Sequence, residues 1–346
     1  MTTSQPPDFH LNRPAALIAA LPALLGFVPE DSLVLVTVER GALGCVMRID
    51  LDLALQGSFD DLAELTAVAG PDAAIAVIVD ETAWDCPSCA DDYRDLVDTL
   101  TETLAEWGVE LLAAHVVDRV AAGGRWRCAD GCGMAGTIED PQASPLVMAA
   151  VLDGRRLYAR RSDLQQVIAV ADTAHAAALA PAIAVHRADR PDADVRADIL
   201  AALDAAQRVA AGEDLPDETL TALAGALTDV KVRDTLFALA VGECAGQAES
   251  LWAEMARRLP DPWRVEALVL LAFSAYARGD GPLAGISLEA ALRCDDSHRM
   301  ASMLDRALHA ALRPEQIREL ARTGYKLAAQ LGVRLPPRRT FGRRAG

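Results

Sequence analysis

Lysine is almost absent from this chain of 346 residues: only Lys231 and Lys326 occur, and neither follows a glycine. A phosphate-binding loop of the Gly-Lys-Ser/Thr type therefore cannot form, which excludes P-loop nucleotide hydrolysis. The sequence also lacks a His-Glu-x-x-His helix and a Gly-x-Ser-x-Gly elbow. The zinc metalloproteases of that signature and the α/β-hydrolases are therefore excluded as well.

Positive charge is scarce in general, because 33 Lys and Arg stand against 50 Asp and Glu and give a formal net charge of −17. Such a body repels nucleic-acid phosphates and anionic lipid, so we expect neither nucleic acid nor a membrane as a partner. No apolar run approaches the roughly 20 residues that span a bilayer. The apolar run at 14–28 is interrupted by Pro22 and is not interpreted as a signal peptide. Seven cysteines without a secretory context are then expected to be reduced thiols, which predicts a cytoplasmic protein.

Strand and helix patterns alternate in the first half of the chain. Two apolar runs at 33–38 and 43–50 flank a Glu-Arg-Gly turn and predict an antiparallel hairpin. Strands are also predicted at 74–80, 109–118 and 125–127, with a helix at 91–107. A strand-helix-strand unit implies a parallel pair, so the sheet is expected to be mixed. We predict an α/β domain with flanking helices over residues 1–190.

The second half of the chain has helical periodicity only, from 196 to 330. The charged, proline-containing segment at 186–198 is interpreted as the domain boundary, which predicts an all-α domain over residues 191–333. Small residues at 272, 275, 284 and 291 have the spacing of a tetratricopeptide repeat, with a generic helical bundle as the alternative. Five arginines and two prolines in residues 334–346 predict a basic disordered tail.

Two close cysteine pairs are the strongest chemical pattern: Cys86 and Cys89, then Cys128 and Cys132. Four thiolates would satisfy a tetrahedral zinc ion if the two loops met in the fold. Alternatively, Cys86 and Cys89 could form a redox pair, or all four could be ordinary reduced cysteines. No cofactor is expected apart from this zinc alternative.

Charged residues cluster at the ends of the predicted strands. Arg48, Asp50 and Asp52 alternate along the second strand and would share one face. Asp80 and Asp118 end two strands of the predicted parallel pair, the usual place for functional groups in α/β sheets. A solvent-facing ion pair is the structural alternative. The candidate ligand-binding residues are Arg48, Asp50, Asp80, Asp118, Arg125 and Trp126.

These residues together resemble a family of actinobacterial proteins called domain of unknown function 4192. The resemblance lies in LPALLGFVPEDSLVLV (21–36), in RIDL (48–51), in GRW (124–126) with the cysteines and Gly-Thr that follow, in VRD (232–234) and in residues 270–296. It implies an actinobacterial, cytoplasmic setting and no particular activity. The family pattern has more cysteines and a proline after them, where this chain has Gly133 and Met134.

Taken together, these patterns favour a non-enzymatic protein that interacts with other molecules. We expect the helical half to bind a protein partner and the α/β half to bind a small ligand or a second protein. The alternatives are an enzyme of unassigned class that uses the strand-end carboxylates, with or without a metal, and a thiol redox switch at Cys86 and Cys89. No catalytic residue and no oligomeric state can be named from the sequence.

Overall fold

The structure is a computed structural model that describes residues 12–57, 59, 62–64, 66, 70–84, 89–152, 155–188, 194–310 and 312–339. The chain forms two compact units. One comprises Met1–Leu164 with His309–Ala311, and the other comprises Gln165–Leu308 with Leu312–Gly346. The boundary predicted from the sequence lies later, between residues 190 and 191.

A six-stranded mixed sheet lies at the centre of the first unit, in the order β2-β1-β3-β4-β5-β6. Only β3 and β4 are parallel, and the other neighbours are antiparallel. The mixed sheet, the first hairpin and the parallel pair are confirmed. The last short strand was not predicted, because Ala-Gly-Thr has no strand pattern. The strands are β1 (Ser32–Glu39), β2 (Ala42–Asp50), β3 (Ala73–Val79), β4 (Glu110–Val117), β5 (Arg125–Cys128) and β6 (Ala135–Thr137).

Helices flank this sheet. The first ends at Gly26, whose φ of 77° is the left-handed conformation that the sequence predicts for a helix terminus. On one face of the sheet, Leu96, Leu100 and Leu104 pack in the same buried cluster as strand residues such as Leu35 and Ile78. The helices are α1 (Pro14–Leu25), α2 (Leu51–Leu55), α3 (Cys89–Glu106), α4 (Pro145–Leu152) and, across the boundary of the units, α5 (Arg161–Gln166).

Within the residues that the structure describes, the regular elements of the second unit are all helices, as predicted, apart from one isolated β-bridge between Gly242 and Arg338. Its central helix is buried at every position from Ala267 to Ala277. The helices are α6 (Thr173–Ala188), α7 (Val195–Ala210), α8 (Asp217–Leu227), α9 (Val230–Leu236), α10 (Ala245–Arg258), α11 (Val265–Arg278), α12 (Gly281–Cys294), α13 (Arg299–His309) and α14 (Pro314–Gln330). Among the described residues, no helix is both long enough and apolar enough to cross a membrane.

The start of the predicted basic tail makes defined contacts. The hydroxyl of Tyr325 donates a hydrogen bond to the carbonyl of Pro336 at 2.9 Å, and the Arg338 guanidinium lies 5.9 Å from the centre of the Tyr325 ring. The backbone of Arg339 donates to the carbonyl of Val241 at 2.9 Å. Residues 334–339 are therefore packed against the helical unit, whereas residues 340–346 of the predicted tail lie outside the described residues.

Candidate functional site

Three strand-end carboxylates lie along one edge of the sheet. Val79 of β3 and Val117 of β4 are paired in the parallel register, so Asp80 and Asp118 follow them side by side. The backbone N–H of Asp80 donates to the carbonyl of Val117 at 3.0 Å. Asp50 pairs with Ser32, which in turn pairs with Val79. We call this row the polar edge; its members are Ser32, Arg48, Asp50, Asp80, Asp118, Arg119 and Arg125.

Asp118 is the buried centre of the polar edge, with only 2% of its side chain exposed. Its Oδ1 accepts the backbone N–H groups of Arg119 at 2.7 Å and of Arg125 at 2.8 Å. Its Oδ2 accepts Nε of Arg125 at 3.0 Å and lies 3.7 Å from Nη1 of Arg119. Burial raises the pKa of Asp118, but the hydrogen bonds from Arg125 and Arg119 outweigh burial and hold the pKa below its ordinary value. Asp118 is therefore an ionised anchor for two arginines.

Asp80 is also bonded within the unit. Its Oδ1 accepts the backbone N–H and the hydroxyl of Thr82, both at 2.7 Å. The hydroxyl of Tyr93, in α3, donates to Oδ2 of Asp80. Burial and this hydrogen bond raise the pKa of Tyr93 well above its ordinary value. The carboxylate of Asp80 therefore links the end of β3 to the first turns of α3.

The β2 end of the polar edge is an ion pair. Nη1 of Arg48 lies 2.5 Å from Oδ1 of Asp50, and Nε of Arg48 donates to the hydroxyl of buried Ser32 at 2.7 Å. The Arg48 side chain is largely buried, whereas that of Asp50 is 60% exposed. Asp52 does not continue the row, because β2 ends at Asp50 and Asp52 lies in α2. The predicted common face of Arg48, Asp50 and Asp52 is therefore wrong for Asp52.

The exposed cationic groups of the polar edge are the two arginines that Asp118 holds. The side chain of Arg125 is 47% exposed, and that of Arg119 is 55% exposed. A guanidinium presents planar donors that match carboxylate and phosphate oxygens. Because the buried carboxylate of Asp118 orients Arg125 by a hydrogen bond and forms an ion pair with Arg119 at 3.7 Å, this part of the edge can bind an anionic group.

Trp126 lies on the opposite face of the sheet from Arg125, as side-chain alternation requires. Its ring makes an edge contact with His115, with the ring centres 5.3 Å apart. A Cβ on Gly136, its partner in β6, would lie 2.9 Å from its Nε1, so the indole packs directly over that glycine. The Nε1 group is buried and has no hydrogen-bond partner among the described residues. Trp126 is therefore not part of the polar edge.

A second group of polar atoms lies where β5 ends. The ligand atoms of Cys128, Asp130 and Cys132 are all within 4.8 Å of one another, an arrangement that could hold a metal ion. Nδ1 of buried His115 lies 3.7 Å from Sγ of Cys128. Burial, the contact with Cys132 and the negative charge of Asp130 raise the pKa of the Cys128 thiol to about 12. Burial lowers the pKa of His115, so both groups are uncharged at neutral pH in the metal-free chain.

The other predicted cysteine pair does not join this group in the part of the chain that the structure describes. Cys89 begins α3 and packs against the cluster between α3 and the sheet. It is disulfide-bonded, whereas Cys128 and Cys132 carry free thiols. Cys128 shares the opposite face with His115 and Trp126. Cys86, the fourth member of the predicted zinc set, lies outside the described residues.

His115, Tyr93 and Ser32 were not among the site residues predicted from the sequence. His115 is a polar residue within a strand that is otherwise largely apolar, and this contrast could have identified it as a candidate site residue. The segment 131–136 also spells Gly-x-Gly-x-x-Gly, the dinucleotide-binding pattern. It lies in the β5–β6 hairpin rather than between a strand and a helix, so it is not that site.

A family model described as "Domain of unknown function (DUF4192)" matches residues 14–315 of the chain. No curated protein and no solved structure matches the chain.

Proposed function

Because the chain belongs to the family called domain of unknown function 4192, which brings no activity with it, we propose from its own geometry that it is a non-enzymatic binding protein. In this proposal the α/β unit binds a small anionic ligand at the polar edge, and the helical unit binds a protein partner. The observation that carries the proposal is the pair of half-exposed arginines, Arg119 and Arg125, held by one buried carboxylate.

The carboxylates of the polar edge favour binding over catalysis. A general acid or base must reach the proton that it transfers. A carboxylate offers about four acceptor positions, and Asp118 uses three of them for two backbone N–H groups and for Nε of Arg125, while the Arg119 guanidinium forms an ion pair with it at 3.7 Å. Asp80 accepts three hydrogen bonds from Thr82 and Tyr93. Both side chains therefore serve to position their neighbours.

The chemistry of the exposed groups sets the ligand class. Guanidiniums with a fixed orientation lose less freedom when they bind a planar anion than free arginines do. The net charge of −17 repels large polyanions, whereas a small carboxylate or phosphate compound carries too little charge for that repulsion to dominate. The proposed ligand is therefore a small molecule with one carboxylate or phosphate group at the arginines.

Native mass spectrometry of the full chain purified at low ionic strength tests the ligand-binding half of the proposal. We expect an anionic compound to copurify with the unaltered chain and to be lost from Arg125→Gln. The matched control is Arg94→Gln, because Arg94 is a 51% exposed arginine paired with Asp91 outside the polar edge. The proposal would be contradicted if Arg125→Gln and Arg94→Gln bound the same amount of the compound, or if the copurified compound were neutral or cationic.

The helical unit is built around a central pair of helices. Helices α11 and α12 pack together across a turn at Gly279, whose φ is 89°. Ala272, Ala275 and Ala284 are buried where the helices approach, which is the spacing of a tetratricopeptide repeat. We propose that this pair is tetratricopeptide-like. Because α11 is buried along its length, the partner would bind the outer helices instead of this pair.

The outer helices expose large apolar side chains that a partner could cover, among them Val230 at 54% and Met303 at 41% exposure. The test compares Val230→Asp and Met303→Asp with Met148→Asp, a 59% exposed residue of the α/β unit. After cross-linking in native lysate, the helical-unit variants should lose captured proteins that the unaltered chain and Met148→Asp retain. An unchanged partner set in all three variants would count against the helical unit as the binding surface.

A thiol redox switch is a second candidate, because Cys89 is disulfide-bonded at the start of α3. The switch requires the number of titratable thiols in the folded chain to fall by two on mild oxidation and to recover on reduction. An unchanged thiol count after oxidation and reduction would exclude it.

A further inference from the structure

A set of four potential metal ligands lies on the face of the sheet opposite the buried cluster of α3, where β4 and β5 pair. His115 comes from β4, Cys128 ends β5, and Asp130 and Cys132 belong to the loop that leads to β6. None of the four belongs to the polar edge. Their chemistry is mixed, with two sulfur atoms, one imidazole nitrogen and one carboxylate.

The loop geometry brings the two cysteines together. Cys128 and Cys132 have three residues between them, within the spacing of two to four that is usual in structural zinc sites. Gly131 and Gly133 have φ values of 74° and 80°, which let the chain reverse around Cys132. The backbone N–H of Cys128 donates to the carbonyl of Met134 at 2.9 Å and closes the loop.

The strand register adds the histidine. His115 and Cys128 are directly paired across β4 and β5, and Nδ1 lies 3.7 Å from Sγ. With a Zn–S bond of about 2.3 Å and a Zn–N bond of about 2.05 Å, tetrahedral angles place the two ligand atoms about 3.6 Å apart. Two sulfur ligands of the same ion would lie about 3.8 Å apart, which agrees with a group held within 4.8 Å. The ligand atoms of Cys128, Asp130 and Cys132 are thus close enough to meet one ion, and the imidazole of His115 adjoins this group through Cys128.

Asp130 is also held in position. Its Oδ1 accepts the backbone N–H of Cys132 at 2.9 Å, which fixes the carboxylate over the loop. Both Asp130 and Cys132 are exposed, whereas His115 and Cys128 are buried. A metal ion can therefore enter from solvent and meet the buried pair of ligands.

We propose that Cys128, Asp130 and Cys132 bind one zinc ion, with His115 as the fourth ligand once its ring moves from Cys128 towards the rest of the group. Two thiolates and an imidazole select zinc over magnesium or calcium, and four protein ligands make a closed site of the structural kind. The ion joins the β5–β6 loop to β4, next to a strand of three residues, Ala135–Thr137. This ligand set differs from the four-cysteine site, which was one alternative from the sequence, and it does not depend on Cys89.

The test uses the full chain, purified without chelator under reducing conditions and then loaded with cobalt(II) after zinc removal. We expect one zinc per chain by elemental analysis, and cobalt absorption bands of a tetrahedral site with thiolate charge transfer. Cys132→Ser and His115→Gln should each weaken cobalt affinity by about 100-fold or more. Because Cys132 is exposed in a turn, its serine variant should keep the near-ultraviolet circular dichroism of the unaltered chain.

Two cysteine variants serve as controls. Cys45→Ser and Cys89→Ser change a cysteine outside the proposed site and should keep one metal per chain. The proposal would be overturned by a chain that takes up neither zinc nor cobalt, by a cobalt spectrum without thiolate bands, or by unchanged affinity in Cys132→Ser. Loss of the metal in Cys89→Ser would instead indicate the four-cysteine site.

Discussion

Replacing Asp118 with asparagine removes the charge at the centre of the polar edge and keeps the shape of the side chain. The amide oxygen can still accept the two backbone N–H groups. In the unaltered chain, Oδ2 of Asp118 accepts a hydrogen bond from Nε of Arg125 at 3.0 Å. In Asp118→Asn, the amide nitrogen takes the place of Oδ2, so two hydrogen-bond donors face each other. Breaking a buried ion pair costs about 3–5 kcal/mol, but Arg125 is 47% exposed and regains hydration. We therefore expect a loss of about 2–3 kcal/mol in the free energy of unfolding.

Urea denaturation at pH 7, followed by circular dichroism, measures this loss. The matched control is Asp91→Asn, because Asp91 also pairs with an arginine but is 75% exposed. It should change the free energy of unfolding by less than about 0.5 kcal/mol. If Asp118→Asn were as mild as Asp91→Asn, Asp118 would not be the anchor described above.

The pH dependence of the free energy of unfolding provides a second test of Asp118→Asn. The folded pKa of Asp118 lies below the unfolded value of 3.8, so the folded state favours the ionised form. Its contribution is fully present above the unfolded pKa and is lost as the pH falls through the folded pKa. The difference in stability between the unaltered chain and Asp118→Asn should therefore be constant near neutral pH and shrink below about pH 4. A difference that grew on acidification would refute the reasoning.

Three further substitutions test other parts of the structure, each by urea denaturation. Tyr93→Phe removes a donor from buried Asp80 and should cost about 1–2 kcal/mol; no loss would mean that this hydrogen bond contributes nothing. A Cβ at Gly324 would lie 2.7 Å from a backbone carbonyl oxygen in α9, so Gly324→Ala should cost about 1–3 kcal/mol. Gly246→Ala is its control, because that helical position is open and alanine should stabilise it by about 0.5–1 kcal/mol. Leu100→Ala, fully buried in α3, should cost about 2–5 kcal/mol, and a loss below 1 kcal/mol would contradict its place in the core.

Many of the strands and helices could be predicted from the sequence, because the spacing of their apolar residues shows which side chains are buried. The runs at 33–38 and 74–80 are apolar except for Thr37 and the final Asp80, as is usual for strands covered on both faces. The helices of the second unit have long amphipathic or apolar periods with proline or glycine at their ends, and α14 was predicted with its observed bounds, 314–330. The parallel pair followed from the helix between its strands.

The unit boundary shows where local signals are ambiguous. Charged residues and prolines at 186–198 indicated a boundary between domains, yet α6 before this segment and α7 after it belong to the same unit. Such composition marks any exposed connection, whether it joins two domains or two helices. The boundary depends on which helices pack together, which the sequence does not show directly.

The structure brings some of the predicted site residues together and separates others. Asp80 and Asp118 were expected to lie together, and the parallel register brings them to one edge. Trp126, however, faces away from Arg125 because β5 alternates. The same alternation brings Cys128 to His115, which lies 13 residues earlier in the sequence. The spacing of the cysteines along the chain suggested that the two cysteine pairs bind one zinc ion together. Which ligand atoms come close in space depends instead on the register of the strands.

Calorimetric titration of the ligand-free chain with a panel of small carboxylate and phosphate compounds, including inorganic phosphate, tests the central claim most directly. The account predicts saturable binding of at least one of these anions to the unaltered chain and to Arg94→Gln. It predicts affinity at least about tenfold weaker in Arg119→Gln and in Arg125→Gln, since a charge-assisted hydrogen bond contributes about 1.5–3 kcal/mol. Equal affinity in all four proteins, or no binding of any anion, would contradict it.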